Sequence, residues 1–110
     1  MALTVKCLKN GTLGTSSADL YTVPTGKAAI VKNVRLVNTT GSTVALTELK
    51  LTLSVGSTVS KLLPPSMSIG PNTLFTDDQE ITMAQGDKIS GYAGTASALD
   101  ITISGIERDA

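Results

Sequence analysis

Apolar and polar residues alternate with a period of two along most of the chain, as in a β-strand that buries one face. Each apolar set is flanked by polar residues that would line the other face of the strand. We expect the apolar sets to face a core: Leu3, Val5 and Cys7; Ala45, Leu49, Leu51, Leu53 and Val55; Leu99, Ile101 and Ile103.

Turn residues separate these segments at short intervals and support further strands between them. The predicted strands cover residues 3–7, 19–23, 28–37, 44–55, 58–63, 73–76, 79–83, 88–93 and 99–104. Gly26 and Gly86 each precede a strand, at positions that commonly require a positive φ. Eight or nine short strands without a helical segment predict an all-β fold, a two-sheet antiparallel β-sandwich. A jelly roll is the first expectation and an immunoglobulin-like sandwich the second.

The composition indicates a folded chain that does not span a membrane. Of 110 residues, 41% are hydrophobic and 16% are charged, which argues against disorder. We expect one domain over residues 1–110. The longest apolar runs, such as residues 28–31, are much too short to cross a bilayer. No secretion signal is apparent, so synthesis in a reducing cytoplasm is the simplest interpretation.

The charges balance overall but are unevenly distributed. Residues 1–61 contain seven basic and two acidic side chains, a net charge of +5, and residues 62–110 have a net charge of −5. Two interpretations remain open. The halves either form complementary surfaces that guide subunits together, or interleave within the sandwich so that their charges mix.

The search for a reactive site gives few candidates. The chain has no histidine, which excludes catalysis that depends on histidine, and we expect no enzyme activity and no cofactor. Cys7 lies on the apolar side of its strand, which favours a buried, inert thiol. Residues 77–80 are the densest polar cluster, but their spacing fits no known metal site, so a solvated turn or an acidic contact patch is favoured. Nucleic-acid binding has little support, because aromatic residues are few.

Four segments resemble a class of small virion proteins of tailed bacteriophages. They are LYTVPTGKAAIVKNVRLVNT at residues 20–39, LLPP at 62–65, AQGD at 84–87 and ITISGIE at 101–107. The resemblance covers most of the chain, although these are turn and core positions and not a reactive signature. Related small β-sandwich proteins occur in phage tails and necks.

The resemblance implies a jelly-roll capsid decoration protein, also called a cement or stapling protein. Such a protein would bind the outer surface of the major capsid protein lattice, stabilise the mature head and associate with itself as a dimer or trimer. It would need neither nucleic acid nor membrane as a partner, and it would be made in the bacterial cytoplasm. The alternative is a tail, neck or fibre component, including one that acts as an adhesin.

Three segments are candidates for partner contact: the N-terminal strand, the loop at residues 64–72 and the acidic turn. Exposed strands and loops offer backbone groups that a neighbouring chain can pair with. The candidate contact residues are Lys6, Lys9, Pro64, Pro65, Asn72, Asp77, Asp78 and Glu80.

Overall fold

The computed structural model describes residues 3–64, 66–78 and 80–109. Over these ranges it contains ten β-strands and no helix. In chain order the strands are β1 (Leu3–Thr12), β2 (Ala18–Thr22), β3 (Lys27–Asn38), β4 (Val44–Thr52), β5 (Val59–Lys61), β6 (Met67–Ile69), β7 (Leu74–Asp77), β8 (Ile81–Met83), β9 (Lys88–Ala93) and β10 (Leu99–Asp109).

The strands form two antiparallel sheets with the connectivity of a jelly roll. Sheet A has the order β1, β10, β3, with β7 and β8 both pairing with β3 at the far edge. Sheet B has the order β2, β9, β4, with β5 and β6 both pairing with β4. The first strand therefore pairs with the last and the second with the one before it, as when a long hairpin is rolled into a sandwich. The predicted fold is confirmed.

Two edge positions are each filled by a pair of short strands, which is why ten strands occupy eight positions. The segment between β5 and β6 contains Pro64, which has no backbone N–H for a ladder. The segment between β7 and β8 contains Asp78. Both interrupted edges lie away from β1 and β2, which begin the chain.

The inner faces of the two sheets supply one apolar core. Its fully buried side chains include Leu36, Leu46, Leu49, Ile101 and Ile103. These residues come from the central strands β3, β4 and β10, whose β-branched and leucine side chains fill the space between the sheets.

A β-bulge in β4 changes which of its residues face the core. The pairing of β4 with β9 shifts between Leu46 and Glu48, so Val44 and Leu46 are buried before the bulge and Leu49 after it. The predicted inward position of Ala45 is therefore wrong, and so is that of Val55, which lies in the following turn and is 83% exposed.

Two turns fix the ends of the sandwich through specific backbone conformations. The predicted positive φ is confirmed at Gly26 (79°) and Gly86 (85°). Next to Gly86, the buried carboxylate of Asp87 accepts backbone N–H groups from Ser54 (2.9 Å) and Ala84 (2.8 Å). This carboxylate joins the turn before β9 to the turn after β4.

Asn38, at the end of β3, joins the two sheets at the other end of the sandwich. Its fully buried side-chain amide donates to the carbonyls of Ser42, Ile69 and Gly70 at 2.8–3.0 Å. Its side-chain oxygen accepts from the backbone N–H and the hydroxyl of Thr40. One side chain thus satisfies groups that would otherwise be buried without partners.

We expect Asn38→Ala to lower the free energy of unfolding by about 3 kcal/mol, because several buried polar groups lose their partner together. Chemical denaturation at neutral pH measures this change. The control is Asn10→Ala, which removes only an exposed hydrogen bond with Thr102 and should cost less than about 1 kcal/mol. Equal losses in the two variants would contradict the role of Asn38.

Candidate assembly surface

The predicted contact residues lie in two groups. Lys6 and Lys9 are on β1, at one edge of sheet A. Asp77, Asp78 and Glu80 lie on and after β7, at the opposite edge of the same sheet. Pro64 is exposed between β5 and β6, Asn72 is exposed in the turn that leads to β7, and Pro65 lies outside the described residues.

The acidic turn does not converge on one point. Asp77 is half-buried at the end of β7, Asp78 is exposed, and Glu80 accepts a hydrogen bond from Lys32 at 2.8 Å. Among the described residues, no three acidic or cysteine side chains are grouped as metal ligands. Asn72 adopts φ 54° and donates its backbone N–H to the carbonyl of Thr40.

Lys6 lies at the open edge of sheet A with its side chain 44% exposed, and its ammonium joins a polar cluster with Glu107 and Tyr21. The Lys6 ammonium donates to Glu107 Oε1 at 3.2 Å, and the Tyr21 hydroxyl donates to Glu107 Oε2. The cluster joins β1, β2 and β10, and therefore both sheets. Glu107 is only 7% exposed, so both of its oxygens need these partners.

The cluster shifts two pKa values in opposite directions. The hydrogen bond from Tyr21, followed by that from Lys6, lowers the pKa of Glu107, although burial opposes this. Burial, followed by the hydrogen bond to Glu107, raises the pKa of Tyr21 above its usual range. Both shifts favour a charged carboxylate beside a neutral phenol at neutral pH.

A β-bulge near Leu8 reverses the orientation of the first half of β1. The pairing of β1 with β10 shifts between Cys7 and Lys9, so Leu8 is an extra residue, and it packs against the core. Leu3 and Val5 consequently face outward and are 67% and 82% exposed. The predicted burial of these side chains and of Cys7 is wrong, because Cys7 is also exposed, with its Sγ 3.3 Å from the Lys9 carbonyl oxygen.

The outward side chains of β1 continue across sheet A as an apolar stripe. Val5 lies opposite Ile106 on β10, and Ile106 lies opposite Ile30 on β3. Directly opposed residues share one face of a sheet, so these three form a row on the outer face. We use the name apolar stripe for this row; in the adjacent row of the same face, Leu3 and Ala28 flank Arg108.

The outer face of sheet B has a different character. Asp19 accepts from the Ser90 hydroxyl at 2.9 Å and lies 3.4 Å from the Lys88 ammonium. Across the sheet, Glu48 forms ion pairs with Lys50 and Lys61. Exposed pairs of this kind add little stability, but they suit a face that remains in water.

Ion pairs also decide between the two interpretations of the uneven charge. Lys6 with Glu107, Lys27 with Asp109 and Lys32 with Glu80 each join the basic first half to the acidic second half within one molecule. The charges of the two halves therefore mix in the folded chain. This favours interleaving over two separate charged surfaces.

The described surface has few other features that would hold a ligand. It contains no pocket over residues 3–64, 66–78 and 80–109. Within the same part of the chain, no helix has the length and apolar character needed to span a bilayer.

Sequence reasoning named β1 as a candidate contact segment but did not single out Ile30 and Ile106. A signal for the first was present: residues 28–31 are apolar at every position, whereas a strand with one wet face alternates. Apolar residues on both faces of a strand indicate that both faces are shielded from water. The sequence carries no comparable signal for Ile106. Its neighbours Gly105 and Glu107 occupy the inward positions but are not large apolar residues, so no apolar run marks this part of β10.

Comparison with known proteins supports the fold. No protein-family model and no curated protein sequence matches the chain. In structure the chain is similar to one from the Bacillus endospore appendages, described as a novel family of disulfide-linked pili. The TM-score is 0.51 at 17% sequence identity, over 98% of this chain and 87% of the other. At this identity the likeness establishes a shared β-rich fold with a structural protein, and no more.

We expect stability to fall in acid partly through Glu107. Because its pKa is lower in the folded state, its stabilising contribution is full above the unfolded value, near 4.5, and is lost as the pH falls through the folded pKa. Tyr21→Phe removes the largest cause of the shift and should lower the free energy of unfolding by about 2 kcal/mol at pH 7. Denaturation at pH 7 and pH 3 should show this difference shrinking in acid; a constant difference would contradict the assignment.

Proposed function

We propose that the protein is a structural subunit of a multi-copy assembly on a tailed-bacteriophage virion, where it acts as a capsid decoration protein. The observation that carries this proposal is the contrast between the two outer faces. Sheet A presents a continuous row of Val5, Ile106 and Ile30, with the ion pairs Lys27–Asp109 and Lys32–Glu80 elsewhere on its strands, whereas sheet B presents ion pairs around Asp19 and Glu48. A sandwich with an apolar row across one outer face fits a subunit that lies against a larger surface.

The partner in this proposal is the major capsid protein, together with further copies of the chain itself. The stripe would lie on the capsid lattice, and the paired charges of sheet B would remain toward solvent. Burial of Val5, Ile30 and Ile106 would remove apolar area from water, which is favourable without any chemical step. Nucleic acid and membrane have no part in this role.

Stabilisation of the head would follow from mass action. A subunit that binds the mature lattice, and not its separated parts, shifts the equilibrium toward the intact shell. Several weak contacts that act together make this effective even if each one is small. The rolled antiparallel sheets suit such a role, because every inner strand is paired on both sides.

A second candidate is a tail, neck or fibre component. The observation that favours it is the fold shared with a pilus subunit, because pili are built from repeated copies. The open edge of β1 is also compatible with growth by strand pairing. In both candidates the protein is a passive building block.

We expect Ile106→Lys to weaken binding of the purified protein to mature shells that lack it, because a charge replaces the centre of the stripe. Cosedimentation with the shells measures binding, and the heat resistance of the loaded shells measures stabilisation. The control is Val59→Lys, since Val59 is 51% exposed on β5 of sheet B. Equal binding by the two variants would contradict docking through sheet A, and failure of the unmodified protein to bind would remove the decoration role.

Copy number separates the two candidates. We expect hundreds of copies per particle for a decoration protein, and on the order of six or twelve for a tail or neck ring with closed rotational symmetry. Quantitative mass spectrometry of purified particles, with the major capsid protein as internal reference, gives this number. A low copy number would favour the tail or neck.

A further inference from the structure

The four edges of the two sheets differ in how well they are protected against pairing with another chain. The edge β2 is five residues long and is soon followed by Pro24. The β5–β6 edge is interrupted at Pro64, and the β7–β8 edge is interrupted at Asp78. Short, broken or proline-bearing edges are the usual means of preventing aggregation.

The remaining edge, β1, carries a bulge at Leu8 but is regular over residues 3–7. It is ten residues long, and its outer edge pairs with no other strand among the described residues. The side chains of Leu3 and Val5 on this strand are exposed to solvent. A lysine at an edge commonly discourages pairing, but the ammonium of Lys6, although its side chain is 44% exposed, is held by Glu107.

We propose that two copies of the chain pair through their β1 edges, antiparallel, about a twofold axis beside Val5. In this register Val5 faces Val5 of the second copy, and Leu3 faces Cys7 of the second copy. All three outward side chains of this segment then meet apolar or thiol partners on one face. The inference deepens the proposed function and rests on it only in assuming a role in assembly.

Charge and polarity favour this register over those centred further along the strand. With the axis at Val5, each Lys6 lies opposite Thr4 of the other copy. A register centred on Lys6 would place two lysines face to face, and one centred on Cys7 would place Val5 opposite Lys9. Like charges directly opposed destabilise a strand pair.

The dimer would also enlarge the docking face. Antiparallel strands joined in one sheet are related by an axis normal to that sheet, so the two outer faces point the same way. The apolar stripes of both copies would then form one surface across the seam. A two-stranded seam is smaller than a standard interface, so the dimer should depend on protein concentration.

Sedimentation velocity of the purified protein, up to about millimolar concentration, tests the dimer without any shell present. We expect a monomer–dimer equilibrium, and Val5→Lys should raise the dissociation constant by at least about tenfold. The matched control is Val55→Lys, because Val55 is 83% exposed and Val5 is 82% exposed, but Val55 lies in the turn after β4. A monomer at every concentration, a trimer, or equal effects of the two variants would overturn the proposal.

Cross-linking tests the register. Under mild oxidation, Leu3→Cys should form a covalent dimer in which the new thiol is bonded to Cys7 of the other copy, as peptide mapping would show. Positions 3 and 7 of one strand are too far apart for an internal disulfide. Adding Cys7→Ser to Leu3→Cys should abolish the cross-link. Bonds from position 3 to position 3, or from Cys7 to Cys7, would overturn the register centred on Val5.

The outcomes separate this proposal from the proposed function. Dimers that fail to bind shells would leave the β1 seam intact and remove the decoration role. If the unmodified protein and the Val5→Lys variant are both monomeric and the variant still binds shells, the β1 seam is overturned and the decoration role is retained.

Discussion

One extra residue in β1 determines how the molecule meets its surroundings. Leu8 is accommodated as a bulge in the pairing with β10, so the strand before it is turned over relative to the strand after it. Lys6 is thereby directed to Glu107, while Leu3 and Val5 are directed into water. The ion pair with Glu107 and the outward apolar side chains both follow from the same backbone irregularity.

The stable part of the fold and the part available for assembly are close together but distinct. β10 and β3 lie at the centre of sheet A, and their inward side chains fill the core. Their outward side chains, Ile106 and Ile30, continue the row that begins at Val5. Sheet B holds the other side of the same core but presents charges outside. Ion pairs also lie on the strands of sheet A, so the two faces differ chiefly in the row of Val5, Ile106 and Ile30.

The sequence is sufficient to predict most of the strands, the jelly roll and the glycine turns, because these depend on local alternation and on turn residues. It missed β6 (Met67–Ile69), which lies in the segment 64–72 that was predicted to be a loop. It is not sufficient to predict which face of a strand is buried. A bulge leaves alternation intact on both of its sides and only reverses the phase, so Leu3, Val5 and Cys7 resemble a buried set, as Ala45 does in β4. Tyr21 and Glu107 are 86 residues apart in the sequence, so no short sequence pattern reveals that their side chains meet. The apolar side chains of β1 were thus assigned to the wrong face.

The most direct test of this account is the reactivity of the Cys7 thiol in the folded, dilute protein. A water-soluble aromatic disulfide reagent, followed by absorbance under native and denaturing conditions, measures it. If the bulge turns this part of β1 outward, Cys7 reacts in the native state at a rate close to that of the unfolded chain. A thiol that reacts only as fast as the protein unfolds would show that Leu3, Val5 and Cys7 face the core, and the account of the apolar stripe would fail with it.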